Sequence, residues 1–413
     1  MELNLREKEL LRELAKQYME IAVLPDQSQK RELWKALNRS KMERPMVVID
    51  QLPWNELNTD GSLTCQVADP FWRRVEYALR RTLYQWRHFP VDMVVEPIIY
   101  IPMAISSTGY GVEIQQQTRA TEAGNSVVSH QYINQFETEE DLEKISDMHF
   151  TLDREETQRR WEMARELFDG IAPVRLTSDN TFHLGIWDRI SMLMGVENAY
   201  IDLMDRPEFI HQILQRFTRS VINGIRECNA LGIHDDTANT CHCSYVYTDQ
   251  LLPDFGQGKG PQSQNCWAYG MAQLFSSVSP AITKEFELPY ISQMAEHFGM
   301  IYYGCCDRLD DRLEMVKTIP HLKKISCSPW SDRDAFAEKI GPSLIMSAKP
   351  NPALIAGAQV DEEAVRRDLR HTLDSARRNG VNLEIILKDI STVQHQPQRL
   401  VRWAEIAMEE VCR

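Results

Sequence analysis

The chain has 413 residues, with 46 lysines and arginines against 60 aspartates and glutamates, which gives a formal net charge of −14. This acidic balance argues against a protein that binds duplex nucleic acid or an anionic membrane surface, because both kinds of binding need a basic footprint. At 43% hydrophobic and 26% charged residues, the composition is that of an ordinary globular protein able to bury a large core.

The N-terminus and the cysteines indicate the compartment. No run of about 18 apolar residues occurs, so the sequence predicts no membrane span. The opening stretch MELNLREKELLREL is charged throughout and lacks the apolar core of a signal peptide. The nine cysteines are an odd number in a long chain. We therefore expect a cytoplasmic protein whose thiols serve packing, metal binding or catalysis instead of disulfides.

The first half of the chain predicts helices around a first strand. Apolar residues near helical spacing predict an N-terminal helical extension over residues 1–45, and the apolar run Met46–Ile49 predicts the first strand of a unit that spans 46–413. Residues 105–148 are polar without a helical stripe, which favours an inserted hairpin or lid. Residues 234–270 are rich in Gly, Gln, Asn and Cys and predict a long irregular loop, a feature that is usually functional or disordered.

Other segments of the first half also have a clear pattern. Val91–Ile101 is rich in β-formers. Three stretches have helical periodicity, and the first begins with the capping pair Asp-Pro: 69–88, 151–168 and 207–231.

The last third of the chain alternates strands and helices, with glycines after several helices. This alternation implies parallel strands joined by helical crossovers. No glycine-rich nucleotide-binding motif follows an early strand, which argues against a doubly wound nucleotide-binding sheet. The sequence therefore predicts an α/β fold of the (β/α)₈ TIM-barrel type, with N-terminal helical additions and an inserted polar segment. The predicted strands are 300–303, 322–325, 344–346 and 383–387, and the predicted helices are 279–298, 310–318, 332–340, 361–378 and 398–412.

Polar residues follow each of the late strands. In a (β/α)₈ barrel the active site lies at the C-terminal ends of the strands, so we expect these residues to meet at one rim. For any one of them, a satisfied polar cap at a strand end is the alternative interpretation. The residues that follow the four strands are Cys305-Cys306-Asp307, Ser326-Cys327-Ser328, Lys349-Pro350-Asn351 and Lys388-Asp389.

The paired cysteines raise the question of a metal site. Thiolates with histidine or carboxylate suit a tetrahedral Zn²⁺. Adjacent residues on an extended chain point in opposite directions, so at most one of Cys305 and Cys306 should face the site unless the strand bulges. The triplet Cys241-His242-Cys243 is a second source of ligands, and His242 is its nitrogen donor. The alternative for this triplet is a loop that packs small thiols beneath a lid.

Aromatic residues precede the helix at 279. Trp267 and Tyr269 lie in a stretch that leads towards the predicted rim. They are interpreted equally well as core residues or as the wall of a substrate pocket.

Five motifs together resemble the uroporphyrinogen decarboxylase superfamily, in its branch of corrinoid-dependent methyltransferases and O-demethylase components: YYGCCDRLDDRL, KKISCSPWSD, MSAKPNPALI, LKDISTV and RLVRWAEIAMEE. The resemblance covers residues 180–410 well, and it implies a (β/α)₈ barrel with N-terminal helical additions. True decarboxylases of the superfamily carry an arginine-rich N-terminal motif. The comparable stretch here, Arg44–Trp54, lacks that arginine cluster, which argues against porphyrinogen decarboxylation.

The resemblance also implies an altered zinc site. Zinc methyltransferases of the superfamily carry His-x-Cys after one barrel strand and a further Cys after the last. Here Tyr303-Gly304-Cys305 occupies the first place and Lys388-Asp389 the second, so Cys305 carries over while the histidine and the final cysteine do not. The expected metal ligands are therefore Cys305, Cys306 and Asp389, with His242 as a further nitrogen.

The implied activity is transfer of a methyl group from a small methylated substrate, such as a methyl ether, to a corrinoid carried on a partner protein. Asp307 or Lys388 would protonate the leaving oxygen. The residues expected to orient or contact the substrate are Lys349, Asn351, Trp267, Tyr269 and Tyr303. A cofactor-free decarboxylase or lyase on the same barrel and a non-catalytic barrel subunit are the alternatives. The methyl donor and the oligomeric state, including a homo-oligomer, stay open.

Overall fold

The structure is a computed structural model that describes residues 3–120, 128–251 and 260–413. It is a mixed α/β protein. Its strands are β1 (Met46–Ile49), β2 (Ile99–Pro102), β3 (Ala104–Ser107), β4 (Gln116–Ala120), β5 (Val128–Tyr132), β6 (Phe150–Asp153), β7 (Val174–Thr177), β8 (Thr240–Cys241), β9 (Ser244–Tyr245), β10 (Trp267–Gly270), β11 (Met300–Tyr303), β12 (Leu322–Cys327), β13 (Ile345–Ala348) and β14 (Asn382–Leu387).

The helices cover the sheets and form the N-terminal part of the described chain. They are α1 (Leu5–Ala22), α2 (Pro25–Asn38), α3 (Trp54–Leu57), α4 (Pro70–His88), α5 (Arg154–Leu167), α6 (Ile186–Met194), α7 (Val196–Asp205), α8 (Pro207–Leu231), α9 (Pro280–Phe286), α10 (Leu288–Ala295), α11 (Leu313–Val316), α12 (Arg333–Ile340), α13 (Ala353–Ala356), α14 (Glu362–Arg378) and α15 (Gln398–Val411). No helix within the described ranges is both long and apolar enough to cross a membrane.

A six-stranded parallel sheet forms the centre of the structure. Its strand order is β1-β14-β13-β12-β11-β10, and every pairing is parallel. β2 and β7 form a second parallel pair, and His183 bridges to Tyr269 of β10. The α/β class and the parallel late strands are thus confirmed, while closure into a complete (β/α)₈ barrel stays a prediction.

The two faces of the six-stranded sheet have different side chains. In-register neighbours such as Ile325, Met346 and Leu383 lie on one face, in the main apolar core with the helices. On the opposite face, called the inner face below, Ser347 pairs in register with Glu384, and Lys324 and Tyr302 are register partners. Side chains alternate between faces along a strand, so Ile345 shares the inner face with Ser347, and Ile386 shares it with Glu384.

Three predicted helices begin or run differently in the structure. The helix expected over 151–168 begins only at Arg154, because 150–153 form β6, which pairs with β3. The helix expected over 279–298 is divided into α9 and α10 at Glu287. Pro289 stands in the first turn of α10, where the missing proline N–H needs no helical partner. The helix expected over 310–318 contracts to α11.

The two polar segments both contain short antiparallel pairs. Within 105–148, β4 pairs with β5. Within 234–270, β8 pairs with β9. Residues 121–127 and 252–259 of these segments lie outside the described residues. The predicted boundaries of the N-terminal extension, the insertion and the long loop stay predictions.

Candidate metal and active site

Side chains that follow β11 and β14 meet at the C-terminal edge of the sheet. The Sγ atoms of Cys305 and Cys306 are 3.5 Å apart, and the Cys306 thiol donates a hydrogen bond of 2.6 Å to Asp389 Oδ2. The Lys388 ammonium lies 2.8 Å from Cys305 Sγ. One potential ligand atom from each of Cys305, Cys306 and Asp389 lies within 4.8 Å of the other two. Two turns that are 83 residues apart in sequence thus form one polar cluster.

The turn after β11 corrects the expectation for the cysteine pair. Both thiols lie on the same side, because the chain bends over 305–307 and is not extended there. Gly304, with φ +90°, begins this turn. A Cβ on Gly304 would lie 2.9 Å from Leu309 Cδ1 and 3.1 Å from Ser326 Cβ, so only glycine fits without displacement of its neighbours. Alternation of side chains along an extended strand, on which the expectation rested, does not apply here.

Two residues of the site have left-handed backbone conformations that L-residues rarely adopt. Asp389 has φ +56°, and His242, at the tip of the β8–β9 hairpin, has φ +57°. Such a conformation costs a non-glycine residue roughly 1–2 kcal/mol. Strain of this kind persists only where the surrounding contacts maintain it, and it concentrates at functional sites.

The cluster holds Cys305 as a thiolate. The side-chain contact with Cys306 at 3.5 Å is the largest effect that lowers the pKa of Cys305, and His242 and Lys388 add to it against the opposing effect of burial, so that the pKa falls to about 3. The same contact and burial raise the pKa of Cys306. Burial acts to lower the pKa of Lys388, but the interactions with nearby Cys243 and Cys305 outweigh it and the pKa is raised. A thiolate is the form of cysteine that binds metals and attacks electrophiles.

His242 reaches the cluster from the β8–β9 hairpin. Its imidazole stacks on the Tyr269 ring at 5.1 Å and meets the Tyr302 ring edge-on at 5.3 Å. Its Nε2 is buried and has no hydrogen-bond partner in the part of the chain that the structure describes. Burial alone would lower the pKa of His242, but the charges of Cys243 and Cys305 raise it to about 9.

Polar residues continue below the cluster along the inner face. The Lys349 ammonium donates a hydrogen bond to the hydroxyl of Tyr302, which lies 3.7 Å from Cys243 Sγ. Further from the edge, Lys324 and Glu384 form an ion pair of 2.7 Å, and both side chains are completely buried. Tyr302, Lys324 and Glu384 were not predicted from the sequence. The sequence signal that could have revealed a polar inner face is the presence of polar residues at alternate positions, as in Ser347-x-Lys349.

Two more titratable groups near the cluster were also missed. Asp188, in the first turn of α6, lies 3.8 Å from His183 Nε2. Burial, followed by the charges of Asp307 and Cys305, raises the pKa of Asp188 to about 6. Burial lowers the pKa of His183 to about 4. A carboxyl that is protonated near neutral pH can donate a proton in a reaction. Both residues lie in 178–188, where we predicted no strand ending.

The predicted acid and the predicted orienting groups lie in different environments. Asp307 is buried and accepts a hydrogen bond of 2.7 Å from the backbone N–H of Cys305, so it stabilises the turn that carries the thiols. Burial raises the pKa of Asp307. Lys349 is buried on the inner face. Asn351 accepts a hydrogen bond of 2.9 Å from the N–H of Ala353 at the start of α13, which is a local structural contact.

The structure separates the three predicted aromatic contacts. Tyr269 lies on the inner face, between the rings of His183 at 4.6 Å and His242 at 5.1 Å. Trp267 shares that face but stands at the first residue of β10, away from the edge that carries the thiols. Tyr303 lies on the opposite face and donates a hydrogen bond of 3.2 Å to the buried Glu287. Its placement among the helices gives no support to a contact with substrate.

The donor set of the cluster fits Zn²⁺. Two thiols and a carboxylate converge, whereas the imidazole of His242 lies beside Cys305 but outside this mutually close set. Zinc in proteins is bound tetrahedrally by sulfur, nitrogen and carboxylate oxygen donors. The residues that would hold it are therefore Cys305, Cys306 and Asp389, and His242 as the nitrogen ligand stays a prediction.

Comparison with known proteins identifies a shared fold. A solved structure described as a methyltransferase from Methanosarcina mazei aligns with a TM-score of 0.50, over 92% of this chain and 98% of that chain, at 10% sequence identity. At this identity the likeness concerns the fold. No protein-family model matches the chain, and no curated protein matches it.

Proposed function

We propose that this protein is a methyltransferase of the uroporphyrinogen decarboxylase superfamily, built on a closed (β/α)₈ barrel in the cytoplasm. It transfers a methyl group from a small methylated substrate to a corrinoid on a partner protein. The observation that carries the proposal is the convergence of Cys305, Cys306 and Asp389 with Lys388 at the C-terminal edge of a parallel sheet. This edge is where (β/α)₈ enzymes place their active sites.

The thiols and the carboxylate would hold zinc, which when bound acts as a Lewis acid on a substrate heteroatom. The Cys305 thiolate is already formed in the protein, with Lys388 at 2.8 Å. Lys388 thus balances the negative charge of the ligand set and keeps a cation beside the place where charge develops on the leaving group.

A leaving alkoxide or phenolate needs a proton. Asp188, with its pKa of about 6, holds a dissociable proton near neutral pH and lies close enough to Cys305 for their charges to interact. Asp307 is the other acid of the turn, and it is tied to the backbone of Cys305. We assign proton delivery to the Asp188 and Asp307 carboxyls or to Lys388, and the pH dependence of turnover distinguishes these donors.

Methyl transfer as the reaction class agrees with the description of the aligned Methanosarcina mazei protein as a methyltransferase. The alternative reaction is a metal-free decarboxylation or elimination that uses the buried ammonium groups of Lys349 and Lys388. A non-catalytic barrel subunit is the third option. The methyltransferase, the metal-free lyase and the non-catalytic subunit predict different metal contents and different turnover.

The test combines metal analysis with a methyl-transfer assay. Purified protein should contain about one zinc per chain, and Cys305→Ser and Asp389→Asn should lose it. Cys412→Ser removes an exposed thiol outside the cluster and serves as the matched control. Reduced cobalamin is then offered with a panel of methyl ethers, methylamines and methyl thioethers, and methylcobalamin is followed by absorbance.

Zinc-dependent methylation of cobalamin by at least one member of the panel is the expected result. A metal-free protein that releases carbon dioxide from carboxylated substrates would replace the proposal with the lyase. Unchanged properties of the Cys305→Ser and Asp389→Asn variants in every assay would favour the non-catalytic subunit.

A further inference from the structure

The hairpin formed by β8 and β9 projects into the space beside the inner face of the sheet. We call residues 240–245 the inner hairpin. Thr240 pairs with Tyr245 and Cys241 with Ser244, so His242 and Cys243 form its tip. Cys241, Cys243 and Ser244 are all buried. The tip therefore lies inside the protein, next to Tyr302 of β11 and beside the thiol cluster.

A buried network of charged groups holds the base of this hairpin. The Ser244 hydroxyl donates a hydrogen bond of 2.6 Å to Glu384 Oε2. The Lys324 ammonium donates to Ser244 Oγ at 2.6 Å, to Glu384 Oε2 at 2.7 Å and to the carbonyl of Tyr245 at 3.1 Å. The side chains of Lys324 and Glu384 are completely buried. Two different strands of the sheet thus fix one residue of the hairpin.

Helix α2 fixes the hairpin from the other side. Asn38 Nδ2 donates to the carbonyls of Tyr245 at 3.2 Å and Tyr247 at 2.8 Å. The ring of Trp34 packs 5.2 Å from the ring of Tyr245. The chain that leaves the hairpin is therefore held between α2 and the ammonium of Lys324, and its position is not free to vary.

Such a network needs an explanation, because packing alone would not favour it. Burial of two charges costs several kcal/mol per ion, and well-packed apolar residues are often at least as stabilising. The inner face of a (β/α)₈ sheet is usually filled by branched aliphatic side chains. A buried pair that also binds a separate hairpin is better explained by specificity of position, which is the best-attested use of buried polar groups.

We infer that Lys324, Glu384 and Ser244 are positioning residues, which hold the inner hairpin so that His242 serves as the nitrogen ligand of a metal bound by the Cys305–Cys306–Asp389 cluster. The inference rests on the proposed function, since it needs that cluster to bind a metal. The left-handed backbone of His242, at φ +57°, is maintained by these anchors. The rings of Tyr269 and Tyr302 then limit the rotation of the imidazole.

The sharpest test replaces one of two serines that donate to the same carboxylate. Ser244→Ala removes a hydrogen bond from the hairpin to Glu384 and leaves the Lys324–Glu384 pair intact. Ser347→Ala removes a hydrogen bond to the other oxygen of Glu384 but acts on β13, not on the hairpin. His242→Ala is the reference for loss of the nitrogen ligand. Both serine variants carry the same chemical change in the same network.

Zn²⁺ affinity is measured by competition with a chromophoric chelator, and Co²⁺ is used as a spectroscopic probe of the ligand set. Partners that orient metal ligands typically contribute 10–100-fold in affinity. We expect Ser244→Ala to weaken zinc binding about tenfold and to shift the Co²⁺ absorption towards that of His242→Ala. Ser347→Ala should retain the wild-type spectrum. Thermal unfolding of the metal-free variants checks that both serine variants are folded.

The outcomes separate the two proposals. If wild-type protein binds neither Zn²⁺ nor Co²⁺, the proposed metal site and the inference fail together. If it binds both metals but His242→Ala gives the wild-type spectrum, the metal site stands and the inference is overturned. Equal affinities and spectra for Ser244→Ala and Ser347→Ala overturn it as well. A second anchor variant, Asn38→Ala, should reproduce the Ser244→Ala shift from the α2 side.

Discussion

Replacement of Lys388 tests the electrostatics of the thiol cluster directly. Lys388→Met removes a buried ammonium 2.8 Å from Cys305 Sγ. At an effective dielectric constant of about 20, a charge pair at this distance is worth about 6 kcal/mol, an upper bound of about 4 pKa units. One nearby opposite charge usually shifts a pKa by about 1–3 units. Because Cys306 and His242 still act on Cys305 in the variant, we expect its pKa to rise by about 2 units.

The assay follows the thiolate in metal-free protein. Alkylation of Cys305 by iodoacetamide is measured from pH 3 to pH 9, and fragment masses distinguish it from Cys306. Since the pKa of Cys305 is held at about 3, the wild-type thiol should be nearly fully reactive at pH 4. A rise of about 2 units would make the Lys388→Met protein about tenfold slower at that pH.

Two control variants separate local from general effects of charge. Lys388→Arg keeps a cation beside the sulfur and should retain most of the wild-type profile. Lys323→Met removes a half-buried lysine that bonds to Ser40, far from the thiols in the fold, and should leave the profile unchanged. Superimposable profiles for wild-type and Lys388→Met protein would refute the conclusion that this ammonium maintains the thiolate.

Two further predictions concern stability. Burial and neighbouring negative charges raise the pKa of Asp188 from 3.8 to about 6, so the folded protein holds this proton more tightly than the unfolded chain, and the contribution of the carboxyl to stability falls as the pH rises from about 4 to about 6. Asp188→Asn should therefore raise the free energy of unfolding by about 3 kcal/mol at pH 7.5 and by little at pH 4; equal gains at both pH values in urea titrations would contradict this. Gly304→Ala should destabilise the protein by about 2–3 kcal/mol and abolish metal binding, because its Cβ would lie 2.9 Å from Leu309 in a left-handed turn. Gly380→Ala, with φ +63° and open space around the Cβ, is its control and should cost only about 1 kcal/mol; equal losses of stability and normal metal binding in both variants would show that the space around Gly304 is not limiting.

The late strands and helices were predictable because their signals are local. β13 and β14 each contain a short apolar run, and α14 begins after a capping aspartate and has a clear helical stripe. The turns after β11 and β14 could be placed at one edge because parallel strands end on the same side. Pro289 is a local signal for the division of the helix at Glu287. The prediction of one helix over 279–298 did not use this signal.

Other features depend on contacts between distant residues. β11 is buried on both faces, so its sequence shows no alternation that tells Tyr302 from Tyr303. The common orientation of both thiols follows from the bend that begins at Gly304, and a glycine in a sequence does not reveal the sign of its φ. His242 reaches the cluster only because the inner hairpin is anchored by strands far along the chain, among them β14.

The position of β14 in the sheet affects the order in which the protein can fold during synthesis. It is the neighbour of β1 and of β13, and it carries the carboxylate that neutralises Lys324. Until a ribosome has made this strand, the last described in the chain, β1 has no neighbour in the six-stranded sheet and the ammonium of Lys324 lacks its carboxylate partner. Nascent chains commonly fold from the N-terminus as they emerge, but here the inner face can close only after β14 has been made. Before β14 is made, β1 and β13 each expose an unpaired edge. Unpaired strand edges promote aggregation, and chaperones protect such surfaces.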